Sequence, residues 1–360
     1  MASSKAKRAR KRGPVVAITG LEGRDNPYPG CAVARALRAA RGDALELLGF
    51  AYEPTLTGSF RRDLFDAVYL TPLPGDPAAV LLRRLFEIHA AHPIDVLIPA
   101  LDSELPLFAN HRAEIEARGI RMLIPSADAV KKRYKQRLPA WAARHGIASP
   151  RTEVVTDPTT FWKQPEWTFP CWLKGSLADA VRVDDEAEAL AVYWRLAARW
   201  GYPVLAQMPV IGEEFDVCAV ARRGGDAAAL ITIRKTVVSS AGKAIGAQVV
   251  DDPAVRAVAH KILRALEWEG PLELELMREA SSGRLHLIEI NARFPAWVGV
   301  THDMGLNLPD IALRLALGEA LPAPREARTG TTFFRTSHTT LSGVEALSEL
   351  LADGRLIHKP

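Results

Sequence analysis

Two short runs near residue 280 carry acidic and amide side chains at a spacing that suits metal binding. In the run LELEL, strand alternation would place Glu273 and Glu275 on one face, and in the run LHLIEIN it would do the same for Glu289 and Asn291. Paired as an antiparallel hairpin, the two strands bring Glu275, Glu289 and Asn291 to one point. Two carboxylates and an amide oxygen are hard ligands that suit Mg²⁺ together with phosphate oxygens. The alternative is an ordinary hairpin with a solvated acidic face.

Lys174 is a second residue whose position suggests chemistry. It closes the apolar run Cys171-Trp172-Leu173, where an ammonium group is costly to bury unless a negative charge accompanies it. A bound polyphosphate would provide that charge. The competing interpretation is a surface lysine whose apolar stem is covered while its ammonium group reaches water.

The elements that must position these residues begin with a parallel sheet. Five β-rich runs alternate with helical periods, as in a doubly wound α/β domain; the runs are 15–19, 45–51, 67–71, 95–100 and 121–124. The glycine-rich turn after the first run, at Gly20, Gly23 and Gly30, lacks the GxGxxG spacing, which argues against a dinucleotide site there.

The second half of the chain is richer in strands. Gly146 is predicted to cap a single helix over residues 128–145. The elements expected after it are a strand into Lys174, a helix over 185–200, a strand over 204–208, antiparallel neighbours at 215–221 and 230–238, a helix over 253–266, and the hairpin 272–277 with 285–291, turning at residues 281–283.

Composition places the chain among soluble globular proteins. Of its 360 residues, 48% are apolar and 24% charged, and no stretch resembles a membrane helix or a secretory signal. Three separated cysteines give neither a disulfide framework nor a CxxC metal site, so we expect a reducing cytoplasm. The net charge of +4 comes from six basic residues in the first twelve; without them 40 basic residues face 42 acidic ones. We interpret this tail as a disordered leader, with an anion or nucleic-acid contact as the alternative.

The hairpin sequence GPLELELMREASSGRLHLIEINAR resembles the metal-binding hairpin of the ATP-grasp superfamily, in its carbamoyl-phosphate-synthetase branch. The Gly-Pro start, the Gly-Arg turn and the Glu-x-Asn-x-Arg ending fall in register with that family. The resemblance implies that Glu275, Glu289 and Asn291 bind Mg²⁺. It also implies that Arg293 contacts the transferred phosphate or the acyl-phosphate intermediate.

The resemblance extends over most of the chain and implies a nucleotide site. Lys135 and Lys174 correspond to the two phosphate lysines of the family, although Lys131, Lys132 and Arg133 leave the register of the first one open. The adenine linker and the basic pair facing the terminal phosphates correspond to the residues Gln207, Met208, Val210, Glu214, Arg234 and Lys235. Gln207 and the backbone of Met208 would read the adenine edge, and Glu214 would accept from the ribose hydroxyls. For Arg234 and Lys235 the alternative is a charged strand end.

The family also implies a fold, an α/β architecture with a Rossmann-like pre-ATP-grasp domain before a two-lobed ATP-grasp domain. The expected divisions are a basic tail (1–13), the parallel α/β domain (14–125), a linker helix with the lid lobe (126–208), the large lobe with the metal hairpin (209–320) and a C-terminal extension packed on the body (321–360). The chain lacks a second synthetase half and a glutaminase, so we do not expect carbamoyl-phosphate synthetase itself.

Two departures from the family concern the ends of the site. The loop GSLADAV after Lys174 is poorer in glycine than the usual lid loop, which predicts a less complete grip on ATP. Phe294-Pro295-Ala296-Trp297 replaces the usual glycines after Arg293, which predicts a reshaped acceptor pocket. Acceptor candidates are Asp102-Ser103-Glu104 after a buried strand and Thr301-His302-Asp303 after the hairpin; a helix cap and a structural histidine are the alternatives.

The predicted function is that of an ADP-forming carboxylate–amine ligase working through an acyl phosphate on an amino acid, a peptide or a related small metabolite. Its cofactors would be ATP and Mg²⁺, with two ions expected and Mn²⁺ as a substitute. A nucleotide-binding regulatory module without turnover and a phosphotransferase are the alternatives. The expected partners are small-molecule substrates rather than a membrane or a nucleic acid, and a homodimer stays open.

Overall fold

The computed structural model describes residues 13–21, 29–239, 242–336 and 339–358. The basic tail predicted over residues 1–13 and the turn glycine Gly23 therefore lie almost wholly outside the described residues. None of the helices among the described residues is long and apolar enough to cross a membrane.

The helices and strands follow one another along the chain with short connections. The strands are β1 (Val15–Ile18), β2 (Glu46–Ala51), β3 (Ala67–Leu70), β4 (Val96–Ile98), β5 (Thr152–Val154), β6 (Cys171–Lys174), β7 (Ala180–Val183), β8 (Leu205–Gln207), β9 (Gly212–Arg222), β10 (Asp226–Val238), β11 (Ala244–Val249), β12 (Gly270–Glu279), β13 (Leu285–Asn291), β14 (Thr332–Phe334) and β15 (Arg355–Ile357). The helices are α1 (Pro29–Arg41), α2 (Ala78–Ala91), α3 (Leu105–Asn110), α4 (Arg112–Ala117), α5 (Ala127–Lys132), α6 (Leu138–Arg144), α7 (Glu186–Trp200), α8 (Pro253–Leu266), α9 (Leu308–Leu317) and α10 (Val344–Asp353).

The first sheet has the strand order β15-β3-β2-β1-β4, and its parallel pairings confirm the doubly wound prediction. β1 pairs in parallel with β2 and with β4, and β2 pairs in parallel with β3. Because β1 lies between β2 and β4, the strand order reverses beside it, and the carboxyl ends of these strands form the kind of edge where open α/β sheets bind ligands.

The outer strands of this sheet correct the prediction. Residues 121–124 do not form a fifth parallel strand, since only Arg121 bridges to Val96 and the carbonyl of Ile124 instead accepts from Arg112 at 3.2 Å. The fifth strand is β15, which comes from the C-terminal residues and pairs antiparallel with β3.

The second sheet has the order β13-β12-β9-β10-β11-β14 and is antiparallel throughout. It contains the predicted neighbours over 215–221 and 230–238 and the predicted hairpin. A third sheet has the order β5-β8-β6-β7 and packs against α7. Its strand β6 ends at Lys174.

The single helix predicted over residues 128–145 is wrong, because the structure has two short helices there. α5 ends at Lys132 and α6 begins at Leu138 with Pro139 in its first turn. A proline is tolerated in the first turn of a helix but breaks a helix interior, so residues 133–137 leave the helical path. Gly146 follows α6 with a φ of +60°, the left-handed conformation expected of a helix-ending glycine.

The described residues form three hydrophobic cores, two of which are shared by the first and second sheets. One core packs α2 and α8 against the first and second sheets, and another packs α1 and α9 against their opposite faces. The third sheet has a separate core built with α7 and the aromatic residues Phe161, Trp162 and Trp167. The third sheet is thus a separate lobe, whereas the first two sheets share continuous cores.

Glu104 is a buried carboxyl group at the carboxyl edge of the first sheet. Its side chain is 1% exposed, and its Oε2 accepts from the Thr19 hydroxyl at 2.5 Å. Burial raises the pKa of Glu104 to about 7, against the opposing hydrogen bonds from Thr19 and Tyr52.

We expect Glu104→Gln to remove a pH dependence of stability. The folded protein holds a proton that the unfolded chain loses near pH 4.5, so the free energy of unfolding should fall as the pH rises from 4.5 to about 7 and then level off. Relative to the variant, the wild type should lose roughly 3 kcal/mol over this window. Urea unfolding at a series of pH values measures this loss, and parallel stability profiles for the two proteins would show that the group does not titrate there.

Candidate functional site

One face of the second sheet gathers five of the predicted polar residues. On β9 and β10 the side chains of Cys218, Val220, Ile231 and Ile233 fill a core on this face. Alternation continues the same face into a polar region beyond that core. Its members are Glu214, Asp216, Lys235, Glu273, Glu275, Glu289 and Asn291.

The hairpin register is the one that alternation predicts. Glu275 lies opposite Glu289 and Glu273 lies opposite Asn291, while a bulge on β13 follows between these pairs and Leu287. The amide nitrogen of Asn291 donates to Glu273 Oε2 at 3.1 Å and to Glu275 Oε1 at 3.2 Å. The structure therefore brings Glu275, Glu289 and Asn291 together on one face, as the sequence suggested.

Lys235 sits inside a group of three carboxylates. Its Nζ lies 2.5 Å from Glu214, 3.2 Å from Asp216 and 3.9 Å from Glu275, and its side chain is only 3% exposed. Oxygen atoms of these three acids lie within 4.8 Å of one another, a spacing that could also hold a metal ion. The ammonium group of Lys235 offsets part of their negative charge, so this cluster contains a cation from the protein itself.

On this face the pKa values of two neighbouring acids are shifted in opposite directions. Burial raises the pKa of Asp216 well above its usual value, although Lys235 opposes the shift. Burial also acts on Glu275, but Lys235, Lys174, Arg293 and Lys135 outweigh it and hold the pKa of Glu275 below its usual value. Glu275 is therefore kept ionised, which is the state that a metal ligand needs.

The predicted basic pair is split by the strand that carries it. Arg234 and Lys235 are consecutive on β10, so their side chains point to opposite faces. Arg234 donates to Glu213 at 2.9 Å and to Gln248 at 3.1 Å on the other face. The structure does not bring Arg234 to the polar face, and Lys235 is engaged by carboxylates there.

A cleft joins the predicted phosphate lysines to the hinge between the lobes. Lys135, Lys174, Gln207 and Ile288 line it together with Thr152. Lys135 lies in the break between α5 and α6, and its Nζ is 3.5 Å from Glu289, whereas Lys131 pairs with Asp128 outside the cleft. Of these two lysines, Lys135 lines the cleft, and its assignment as the first phosphate lysine stays a prediction.

Lys174 brings a buried charge into this cleft. It is 6% exposed and forms no salt bridge with any described residue. Burial lowers the pKa of Lys174, although Glu289, Glu275 and Glu214 favour its charged form from a distance. An anion in the cleft would remove this cost.

The hinge residues are partly engaged by β5. Gln207 donates from Nε2 to the Thr152 hydroxyl at 2.9 Å, which leaves its carbonyl oxygen as an acceptor. The N–H of Met208 donates to the carbonyl of Arg151 at 2.9 Å. Among the described residues, the Met208 carbonyl and the Val210 N–H have no backbone partner. These two backbone groups can therefore form hydrogen bonds with a ligand.

The lid loop after Lys174 is held by α7 rather than by glycines. Asp179 adopts a φ of +64°, its carbonyl accepts from Gly175 at 3.1 Å and its carboxylate accepts from the Trp200 indole at 2.8 Å. The Ser176 hydroxyl donates to the Trp200 carbonyl at 3.0 Å. A Cβ at Gly175 would lie 2.4 Å from the Ala178 carbonyl, so this position requires glycine.

Arg293 is fixed by acids on two sides. Its Nε lies 3.0 Å from Asp102 and its Nη1 lies 2.9 Å from Glu273. Glu273 also accepts from the Trp297 indole at 3.2 Å, and Phe294 and Trp297 are buried beside it. The segment that follows Arg293 in the sequence therefore places bulky, buried side chains where the family usually has glycines.

The acceptor candidates have structural partners. Asp102 pairs with Arg133 and Arg293, and Glu104 with Thr19. The Thr301 hydroxyl donates to the Val298 carbonyl, and His302 contacts the Asn307 amide. His302 does not reach the cleft residues.

Sequence reasoning missed Asp216, placed Glu273 only on the face of Glu275, and named Trp297 only as part of a reshaped acceptor pocket. Asp216 lies two residues after Glu214 and Glu273 two residues before Glu275, so the period of two is the signal that could have given both a place in the site. No sequence signal indicates that the Trp297 indole donates to Glu273, 24 residues away.

Known proteins share this architecture. Residues 203–339 match the family described as ATP-grasp in the biosynthetic pathway with Ter operon. The structure superposes on an L-amino acid ligase from Bacillus licheniformis with a TM-score of 0.62 and 18% identity, covering 86% of this chain and 75% of that one. No curated protein matches the sequence.

Two further structures show the same fold. The biotin carboxylase domain of the 2-oxoglutarate carboxylase from Hydrogenobacter thermophilus, in complex with MgADP, ADP and bicarbonate, gives a TM-score of 0.66 at 16% identity over 90% of this chain and 74% of that one. An N5-carboxyaminoimidazole ribonucleotide synthetase in complex with ADP gives a TM-score of 0.67 at 14% sequence identity, covering 89% of this chain and 80% of that one.

These similarities identify the fold as ATP-grasp, with a Rossmann-like domain before two lobes. The family match, over residues 203–339, covers the large lobe that carries the polar face and the hairpin, and the solved structures show that the whole chain shares their fold.

We expect Lys174→Met to fold at least as stably as the wild type. The methionine would remove a buried ammonium group that has no ion pair among the described residues, while keeping a side chain of similar length. The melting temperature without nucleotide measures this, with Lys163→Met at an exposed position as the control. A melting temperature several degrees below that of the control would show that Lys174 is paired in the free protein.

Proposed function

We propose that the chain is an ATP-dependent carboxylate–amine ligase that forms an acyl phosphate and releases ADP and phosphate. The observation that carries the proposal is a cleft that Lys135 and Lys174 share with the hinge, together with the 3.5 Å contact by which Lys135 joins this cleft to Glu289 of the acid–amide set. The L-amino acid ligase and the ADP-bound synthetase among the similar structures support the same class.

The donor set fits Mg²⁺. Glu275 and Glu289 face each other across the hairpin, and Asn291 lies beside Glu275. Cations around Glu275 hold its pKa below the usual value and keep it ionised, so this ligand offers a hard anionic oxygen. When bound, Mg²⁺ would supply charge compensation for phosphate oxygens. The same oxygen ligands would suit Mn²⁺, and the expectation of two ions remains part of the proposal.

The cleft supplies contacts for each part of ATP. The Met208 carbonyl, the Val210 N–H and the Gln207 carbonyl oxygen would read the adenine edge, and Glu214 would accept from the ribose hydroxyls through the oxygen that Lys235 does not hold. Lys135 and Lys174 would lie against the phosphates, where the buried charge of Lys174 gains its counterion.

The chemistry divides into two steps. An oxygen of the donor carboxylate attacks the γ-phosphorus, the bond to the β,γ-bridging oxygen breaks, and ADP leaves. An amine then attacks the acyl carbon, phosphate leaves, and the amine loses a proton. The residues of this chain bind and orient: Lys135, Lys174 and Arg293 offset the charge that develops on the phosphoryl oxygens. Lys235 keeps Glu214 and Glu275 in place.

The donor acid we propose is an amino acid, a peptide or a related small metabolite, and the acceptor is a small amine. The bulky residues Phe294 and Trp297 beside Arg293 favour a compact reaction space. The complete set of lysines and acids favours turnover over a regulatory module that has lost it.

Turnover with pools of amino acids and peptides should yield ADP and inorganic phosphate. Because the lysines and the acid–amide set are placed for the terminal phosphates, attack should fall on the γ-phosphorus. Added hydroxylamine should trap the intermediate as a hydroxamate of the donor acid, and mass spectrometry would identify that acid. A phosphorylated acceptor as the stable product would instead indicate a phosphotransferase.

A pair of variants on the hairpin provides the control. Glu289→Gln should lower hydroxamate formation roughly 100-fold or more, since one oriented charge contact is usually worth that much. Glu279→Gln, at the exposed end of the same hairpin, should keep wild-type activity. AMP and pyrophosphate as the stoichiometric products would contradict the proposal.

A further inference from the structure

Asp102 connects the first sheet to the end of the metal hairpin. It follows β4, accepts a hydrogen bond from the Ala292 N–H at 2.9 Å, and forms ion pairs with Arg293 Nε at 3.0 Å and with Arg133 Nη1 at 3.0 Å. Burial would raise the pKa of Asp102, but Arg133 and Arg293 outweigh it and hold the pKa below its usual value, so the group is an anion at neutral pH.

The contacts of Arg293 leave one part of its guanidinium group free. Nε is taken by Asp102, and Nη1 by Glu273 and by the Phe294 carbonyl at 3.1 Å. Nη2 donates no hydrogen bond to any of the described residues, and 21% of the side chain is exposed. A guanidinium group held at two of its three nitrogens has a fixed plane, so the direction of the third nitrogen is fixed too.

We propose that Asp102 is a positioning residue for phosphoryl transfer, which acts by aiming Nη2 of Arg293 at the transferred phosphoryl group. Through Asp102 the first domain takes part in the reaction without touching the nucleotide. The inference rests on the proposed function, because it assumes that the cleft binds MgATP with its terminal phosphate near Arg293.

The competing interpretation is that Asp102 only ties two parts of the fold together. Arg133 tests this, because it pairs with the same carboxylate but does not contact Arg293. Arg133→Gln removes one ion pair of Asp102 and leaves the pair with Arg293 in place. It is therefore the matched control for Asp102→Asn, which keeps the shape of the side chain and removes its charge.

The experiment compares two ligands of the full-length protein. MgADP alone reports on nucleotide binding, and MgADP with aluminium fluoride adds a mimic of the transferred phosphoryl group. Asp102→Asn should bind MgADP within about 2-fold of the wild type but lose roughly 10-fold or more of the additional affinity that the fluoride provides, as expected when a charge contact made in the transition state is misaligned. With a turned-over substrate, kcat should fall while the KM for ATP stays nearly constant.

Arg133→Gln should keep the wild-type affinity ratio between the two ligands. An equal loss of that ratio in both variants would overturn the proposal, as would an unchanged ratio in Asp102→Asn. If Asp102→Asn does not fold, Asp102→Glu is the second variant. It keeps the charge but moves it by one methylene, and it should lose the additional affinity from the fluoride in the same way.

Wild-type behaviour separates this inference from the proposed function. A wild-type protein that binds no MgADP would contradict the proposed function itself. A wild-type protein that binds MgADP but gains no affinity from the fluoride would contradict the aiming of Arg293 alone.

Discussion

The ion cluster around Lys235 is the interaction on which the rest of the site depends. Glu214, Asp216, Glu273 and Glu275 lie on one face of the same sheet, beside an apolar core, where several ionised carboxylates would repel one another strongly without a cation. Lys235 reaches three of them and Arg293 reaches the fourth. The two cations fix the side chains that the metal and the ribose would need, and they decide which acid stays ionised.

The other parts of the molecule build on this face. The first two sheets share continuous cores, and the Asp102–Arg293 pair joins the carboxyl edge of the first sheet to the end of β13. The third sheet has its own core and brings Lys174 to the cleft on a buried strand. The loop after Lys174 is held by hydrogen bonds of Ser176 and Asp179 with Trp200, so a loop poor in glycine still has a defined conformation. The expectation of a less complete grip on ATP stays a prediction.

Local patterns in the sequence predicted the elements and the hairpin but not the long-range partners. The alternation of LELEL and LHLIEIN was enough to put Glu273 with Glu275 and Glu289 with Asn291 on one face of each strand, because a period of two fixes the face of each residue; the register that sets Glu275 opposite Glu289, with its bulge, is seen only in the structure. The same period, applied to β10, separates Arg234 from Lys235, and the proline rule, applied at Pro139, breaks the helix predicted over 128–145. Both errors therefore came from leaving a local rule unapplied. Strand β15 and the contact of Asp102 with Ala292, 190 residues apart, depend on tertiary packing that no local pattern encodes.

The central claim is that the polar face and the cleft together bind MgATP with its terminal phosphate at the hairpin. The most direct measurement is a crystal structure of the protein with Mg²⁺ and a non-hydrolysable ATP analogue. We expect the adenine against the 207–210 segment, the phosphates between Lys135 and Lys174, and the metal bound by Glu275, Glu289 and Asn291. A metal held instead by Glu214 and Asp216 with Lys235 displaced, or a nucleotide bound outside the cleft, would contradict the account.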